Sequence, residues 1–266
     1  MDHKENFMGW EDPGITLITG ASAGIGAEFA RQLASQGFDL VLIARRKNRL
    51  EKLSQELHKK FSINVEVIIG DLSNLDDNHK IVSKILNIKN LDVLINNAGY
   101  GINKTFQQTD IIEHINMINV HLTSAVMFCH AAIPGMIKRD RGVIINTSST
   151  AAVNKSKMGV MYTTTKTALT VFSELLQDKI KNSNLYIQSL CPGFTYSEFH
   201  DTDSMRGFQR DWFPKEAWMA AEDVVRLSLE AVKTKEVIII PGKYNLDNSK
   251  KIREAEHEQY LNAKRL

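Results

Sequence analysis

Residues 15–26 read Ile15-Thr16-Leu17-Ile18-Thr19-Gly20-Ala21-Ser22-Ala23-Gly24-Ile25-Gly26. The apolar run Ile15–Thr19 ends on a glycine. A helical period then begins: across Ala23–Gln36, Ile25, Phe29 and Leu33 recur at i, i+4 and i+8. A strand, a glycine turn and a helix in that order open an α/β sheet. Glycines 20, 24 and 26 give G-x-x-x-G-x-G, not the more common G-x-G-x-x-G. The physical demand is the same. Gly20 makes a tight turn, the backbone can approach a pyrophosphate, and the helix N-terminus offers free N–H groups and a partial positive charge. Glycines also serve ordinary turns, so the position between a first strand and a first helix is what gives this turn its meaning.

The same alternation continues outward. Asp39–Ala44, Asn64–Ile69, Asp92–Asn96, Arg141–Thr147, Leu185–Leu190 and Glu236–Ile240 are short β-rich runs. Several are apolar almost throughout, as central strands of a parallel sheet covered on both faces must be. Between them, Lys47–Phe61 carries Leu50, Leu53 and Leu57 on one face, and Gly159–Ile180 stacks Val160, Val171, Phe172, Leu175 and Leu176. Seven strands with intervening helices predict a doubly wound, Rossmann-type α/β sheet with helices on both faces. Neither a repeat nor a low-complexity linker divides the chain. The expected layout is one domain over residues 13–248, a polar N-terminal end over 1–12, and a polar, helical C-terminal end over 249–266.

Composition narrows the function classes. At roughly 100–200 residues per domain, 266 residues suffice for a real core without a disulfide or structural metal. Thirty-three basic against thirty-one acidic residues leave +2, which gives no electrostatic footprint for nucleic acid. Cys129 and Cys191 cannot make a disulfide framework and fit a reducing, cytoplasmic location. Met1–Trp10 lacks the apolar stretch of a secretory signal, and no unbroken apolar run approaches a membrane span. Eight histidines, among them His114, His121, His130 and His200, show no metal-ligand spacing, so no metal is expected and they read as scattered core or surface residues.

Charge placement at the end of the second strand speaks to the nucleotide. An acid there would bind a ribose 2′-hydroxyl and favour NAD(H). The residues are instead Ala44-Arg45-Arg46-Lys47, and guanidinium forks suit phosphate oxygens, so NADP(H) is expected over NAD(H). Asp71, followed by Leu72 after the third strand, suits either a hydrogen bond to the adenine amino group or a cap on the helix near Ser73. After the fourth strand, Ala98 and Gly99 are small enough to let a cofactor approach, and Asn97 can tie neighbouring strand ends together.

Tyr162-Thr163-Thr164-Thr165-Lys166 places a phenol and an ammonium one helical turn apart on one face. A free tyrosine has a pKa near 10, and a nearby cation favours phenolate, so the pair can serve as a general acid/base. Upstream, Ser149 lies just past the strand ending at Thr147, where a hydroxyl would meet a substrate carbonyl. Ser148 and Thr147 are rivals for that place.

Taken together, TGASAGIG at 19–26, NNAG at Asn96–Gly99, Ser149, YTTTK at Tyr162–Lys166 and Pro192-Gly193-Phe194-Thr195 resemble the short-chain dehydrogenase/reductase family in order and spacing. The resemblance runs over about Ile15–Gly242. It implies strand order 3-2-1-4-5-6-7 and hydride transfer between NAD(P) and a carbonyl or secondary alcohol. It implies that Tyr162 is the proton donor or acceptor, that Lys166 lowers its pKa and binds the nicotinamide ribose, and that Ser149 orients the carbonyl oxygen. Asn119 matches the family's helix asparagine, which supports a water relay to the lysine. Arg45 matches a mark of NADP preference, with Arg46 beside it. The turn residues Gly20, Ser22, Gly24, Ile25 and Gly26 would contact the cofactor, as would Asp71, Leu72, Asn97, Ala98 and Gly99. Pro192, Gly193 and Thr195 match the segment closing over the nicotinamide carboxamide. A homodimer or homotetramer is implied, through the helices around Val120–Ile137 and Gly159–Ile180.

The expected substrate is a small ketone, 3-oxoacyl group or hydroxy acid, partly apolar. Thr195–Trp218 carries Phe199, Met205, Phe208, Trp212, Phe213 and Trp218, many large apolar residues for a loop. It reads as a mobile lid, or alternatively as a packed pair of short helices or a subunit contact. The other function class open to such a chain is a catalytically silent dinucleotide-binding regulator on the same fold.

Overall fold

In the computed structural model, which describes residues 6–155 and 159–263, the chain builds one parallel sheet from β1 (Ile15–Thr19), β2 (Asp39–Ala44), β3 (Val65–Ile69), β4 (Leu91–Asn96), β5 (Gly142–Thr147) and β6 (Leu185–Leu190). A separate ribbon of β7 (Phe194–Tyr196) and β8 (Trp218–Ala220) follows, and then β9 (Ile238–Ile239) returns to the main sheet. The seven-stranded order is β3-β2-β1-β4-β5-β6-β9, as the family resemblance implies. The last strand is shorter than the expected Glu236–Ile240, because it pairs only with Ser189 and Leu190 at the edge of β6. The chain winds outward from β1 to β3, then crosses back to β4 on β1's other side. That reversal opens a crevice at the carboxyl ends of β1 and β4.

Alternation along each strand divides the core into two layers. Ile18, Leu40, Leu42, Val93 and Ile95 face α1 (Gly24–Ala34) and α2 (Lys47–Phe61), a layer completed by α8 (Ala221–Ala231). Leu17, Val41, Ile43, Leu94 and Ile144 face the other side. There α3 (Leu75–Asn87), α5 (Ser124–Arg139) and α7 (Val160–Lys179) supply Ile81, Phe128, Met136 and Phe172. The remaining helices are α4 (Ile111–Ile118), α6 (Thr150–Asn154) and α9 (Lys243–Ala263).

Two expectations about the chain's periphery need correction. The N-terminal end is not simply polar. Phe7 is buried, its ring lies 5.8 Å from that of Phe38, and Trp10 meets Phe38 at 6.3 Å under the Arg141 guanidinium. Residues 1–5 of that end lie outside the described residues. At the other end α9 starts at Lys243, before the expected boundary at Ser249, with Asn245 and Ser249 buried; residues 264–266 lie outside the description. Within the fold, α4 and α5 join through a π turn, Asn119–Thr123, into one 29-residue helical rod, Ile111–Arg139. By length and composition this rod is long and apolar enough to cross a membrane. In the fold it lies along the sheet, with Met117, Ala125, Phe128 and Met136 buried. The polar residues Asn116, Asn119, His121, Ser124 and His130 interrupt it, so no unbroken apolar run marks it in the sequence.

Candidate active site

The glycine turn sits at the mouth of the crevice. Gly20 and Gly24 have φ of +66° and +53°, the left-handed region that costs other residues dearly. A Cβ on Gly26 would collide with the Gly20 carbonyl, and one on Gly20 would come within 2.9 Å of Ala98 Cα. Ala23, the residue preceding α1, provides no side-chain cap, and the first turn of α1 holds no acid. The turn therefore presents backbone N–H groups and the positive end of the helix dipole to the crevice, with no side-chain cap on the helix end. That cradle fits a pyrophosphate. The end of β4 braces it. Asn97 and Ala98 N–H groups donate to Thr19 Oγ1 at 3.0 and 3.1 Å, and Asn97 Nδ2 donates to the Thr19 carbonyl at 3.0 Å.

The basic residues after β2 do not act alike. Arg45 is exposed, with Nη1 3.8 Å from Asp71 Oδ2. Arg46, also exposed, donates to Ser22 Oγ at 2.8 and 3.2 Å. Arg46 and Arg49 both pair with the Glu198 carboxylate, which arrives from the far side of the crevice. Lys47 pairs loosely with Glu51 at 3.7 Å. Asp71 Oδ1 accepts from the Ser73 N–H at 3.0 Å and hydroxyl at 2.8 Å, closing a local turn. The cap on α3 is Asn74, which accepts from the Asp76 and Asp77 N–H groups. Asp71 thus stabilises the turn before the helix without capping the helix itself. Leu72 is buried, and its carbonyl accepts from Asn78 Nδ2 at 3.0 Å.

Three candidate catalytic side chains converge at the carboxyl ends of β5 and β6. Ser149 caps α6 by accepting from the Ala151 N–H at 3.1 Å, and its hydroxyl also hydrogen-bonds Tyr162. Its rivals point elsewhere. Ser148 is buried, bonding the Lys166 carbonyl at 2.8 Å and Thr170 Oγ1 at 2.7 Å. The Thr147 carbonyl accepts from Lys166 Nζ at 2.7 Å. Lys166 Nζ stands 5.9 Å from the centre of the Tyr162 ring. Burial lowers the Lys166 ammonium to about 8, because a charged amine is costly away from water. Burial also raises the Tyr162 phenol, and the Ser149 hydrogen bond only partly opposes this. Burial, the largest influence on the phenol, thus acts against the lowering expected from the nearby cation.

Asn119 opens the π turn. Its Nδ2 donates to the Ser73 carbonyl at 3.2 Å, and its own carbonyl takes the Ser124 N–H. His121, two residues on, is a site neighbour that the sequence does not reveal. The Tyr100 N–H donates to His121 Nε2 at 3.1 Å, so Nδ1 carries the proton and donates to Thr165 Oγ1 at 2.9 Å. Its ring meets Tyr162 edge-on at 5.6 Å. Burial, and then the charge of Lys166, push His121 well below the usual imidazole range. A buried chain, Asn96 to Asn146 to Ser173 at 2.8 and 2.9 Å, underpins the strand ends and is equally silent in the sequence.

Next to Tyr162 lies a cavity lined by Ile102, Phe106, Met117, Val160 and Met161, with His114 stacked on Phe106. Pro192, Gly193 and Thr195 follow β6. The Pro192 carbonyl accepts from Thr150 N–H at 2.9 Å, Gly193 lies against Asn245, and Thr195 is buried. Beyond them the stretch expected as a lid or a helix pair consists of β7 and short 3-10 turns at Glu198–Asp201, Asp203–Met205, Arg210–Trp212 and Lys215–Ala217. Aromatic packing knits it together: Phe194 lies 4.1 Å from Phe213 and 5.0 Å from Trp218. Phe199 reaches Tyr162 at 6.2 Å, and Phe199 and Met205 press on Gly101. Among the described residues no cluster of His, Cys, Asp or Glu is placed to hold a metal ion.

A family model described as short chain dehydrogenase matches residues 14–206. The chain is similar to the very-long-chain 3-oxoacyl-CoA reductase of Homo sapiens, 30% identical over 68% of this chain and 60% of that one. It is also similar to the inactive hydroxysteroid dehydrogenase-like protein 1 of Homo sapiens, 28% identical over 66% of this chain and 54% of the other. The chain thus spans less than two thirds of these relatives' length. Among solved structures, a short-chain dehydrogenase from Sphingobium yanoikuyae in complex with NADPH superposes with a TM-score of 0.83, at 27% identity, covering 93% of this chain and 94% of that one.

Proposed function

The chain belongs to the short-chain dehydrogenase family, and from that premise we propose that it is an NADP(H)-dependent oxidoreductase acting on a carbonyl or secondary alcohol. One observation carries the reading: the hydroxyls of Ser149 and Tyr162 meet in a hydrogen bond at the carboxyl edge of the sheet, with the Lys166 ammonium one helical turn on. When bound, the nicotinamide supplies or takes up the hydride. Gly20, Ser22, Gly24, Ile25 and Gly26 would hold its pyrophosphate, and Arg45 and Arg46, with Arg49 next to Arg46, a 2′-phosphate. Asp71 and Leu72 would flank the adenine. Asn97, Ala98 and Gly99 would line the path to the ribose, which Tyr162 and Lys166 would contact. Pro192, Gly193 and Thr195 would face the carboxamide.

The chain's own residues then account for the proton. In the reductive direction Ser149 and Tyr162 donate hydrogen bonds to the carbonyl oxygen and stabilise the negative charge growing there. Tyr162, whose phenol burial pushes up, gives its proton to that oxygen. The Lys166 ammonium favours the phenolate left behind, and Asn119 is proposed to support its water relay. Ile102, Phe106, Met117 and Val160, which stand beside Tyr162 together with Lys104 and Thr109, support a partly apolar substrate, whether a ketone, a 3-oxoacyl group or a hydroxy acid. Exposed Ile111, Ile115, Val126, Val171 and Leu175 on α4, α5 and α7 support a homodimer or homotetramer. The free, buried Cys129 and Cys191 support a cytoplasmic location.

A silent dinucleotide-binding protein is the second reading, favoured by the relative described as inactive. The presence of Asn119, Ser149, Tyr162 and Lys166 weighs against it, since a sensor needs no proton-transfer groups. NADPH oxidation against carbonyl compounds of graded polarity tests the proposal. Turnover is expected with partly apolar ketones, and no turnover with any carbonyl, despite NADPH binding, would favour the silent reading. Faster turnover with NADH than with NADPH would remove the cofactor preference.

A further inference from the structure

We propose that Glu198 sets cofactor specificity as a built-in competitor for the 2′-phosphate of NADP(H), an inference that rests on the NADP reading above. The side chain stands where an anion belongs. One carboxylate oxygen pairs with Arg46 and the other with Arg49, and Arg46 also donates to Ser22 Oγ in the glycine turn. Two guanidiniums therefore hold a carboxylate that comes from 149 residues beyond Arg49 in sequence. Burial alone would push the Glu198 carboxyl up, but the two guanidiniums outweigh it and hold it below its usual range. Arg45, the residue matching the family's mark, faces Asp71 instead. Arg46 and Arg49 are thus the arginines joined at one anion position, and the chain fills that position itself.

The turn that carries this carboxylate belongs to the segment over the catalytic group. Ser197 caps it and accepts from the Phe199 N–H at 3.3 Å. Ser197 also lies against Gly24, and Phe199, the next residue after Glu198, lies against Tyr162. A phosphate engaging both arginines must displace the carboxylate. NAD(H), with a hydroxyl at the same position, can bind with the carboxylate in place. Only the fraction of molecules with Glu198 released is competent for NADP(H), so the apparent NADP dissociation constant is the intrinsic one divided by that fraction. Half-exposed ion pairs are each worth a few-fold in equilibrium, so the pair of them implies about a three- to tenfold effect.

The test is calorimetric titration of NADP and NAD into the full-length protein and its Glu198→Gln variant, with thermal melting to verify that both are folded. The expected result is NADP binding about three- to tenfold tighter in E198Q, with NAD changed less than twofold. Equal tightening of both nucleotides would mean a general charge effect and overturn the proposal. So would an unchanged NADP affinity, or a weakened NAD affinity, which would make Glu198 a ribose ligand. Wild-type protein that prefers NAD would refute the NADP reading. The latch would then still be judged by whether E198Q shifts the NADP-to-NAD ratio.

Discussion

At the scale of single residues, burial governs the chemistry more than proximity of charge. Tyr162 and Lys166 sit one turn apart, yet desolvation raises the phenol and lowers the ammonium to about 8. Tyr162→Phe is expected to keep NADPH binding while removing turnover. Ser149→Ala is expected to lower kcat by about a hundred- to a thousandfold, in the range seen when an oxyanion donor is lost; steady-state kinetics beside nucleotide titration check both. His121 makes a pH prediction. Its folded pKa lies below the unfolded value of 6.5, so below that pH the unfolded chain binds a proton the folded one refuses. Its neutral burial costs nothing well above pH 6.5, and stability falls as acid is added. Wild type should lose more stability than His121→Gln between pH 7 and pH 5, read from denaturant unfolding at each pH. Parallel losses in the two proteins would show that His121 does not titrate this way. Tyr162 and Lys166 are legible in the sequence because a helix brings i and i+4 together. His121 and Glu198 are not, because their partners come from elements distant in the chain, and no spacing rule links them.

Secondary-structure elements explain which parts of the fold the sequence reveals. Strands buried on both faces must be apolar throughout, so β1, β2 and β6 have the boundaries that their runs predict. The β7–β8 ribbon and its 3-10 turns are too short to establish a period, and their aromatic packing depends on residues brought together from across the segment. The π turn at Asn119–Thr123 inserts one residue into a helical register, which hydrophobic periodicity cannot detect. The glycine turn yields a direct prediction. At φ +66°, Gly20→Ala should cost about 1–2 kcal/mol in stability and weaken dinucleotide binding, measurable by denaturation and titration. For the segment 195–218, limited proteolysis is expected to slow when NADPH and a carbonyl substrate are both present. Cleavage indifferent to them would argue for a fixed aromatic cap.

On the scale of the whole molecule, a doubly wound sheet places every candidate group at one edge. The glycine turn follows β1, the arginines follow β2, Asn97 follows β4, Ser149 follows β5, and the aromatic segment follows β6. The order of motifs is legible in the chain because each lies just after a strand. Their distances from one another depend on strand order, which local pattern alone does not supply. The N-terminal residues join this frame, so Phe7→Ala should cost about 3 kcal/mol in unfolding free energy. The apolar faces of α4, α5 and α7 predict a dimer or tetramer in sedimentation analysis, shifted toward monomer by Leu175→Glu. The central claim is that this edge transfers hydride from NADPH with Tyr162 as the proton donor. The most direct measurement follows NADPH absorbance with a panel of partly apolar ketones, in wild type and Tyr162→Phe, with NADPH binding verified in both. The account predicts oxidation by wild type and none by the variant at equal cofactor occupancy. Turnover retained in Tyr162→Phe would contradict it.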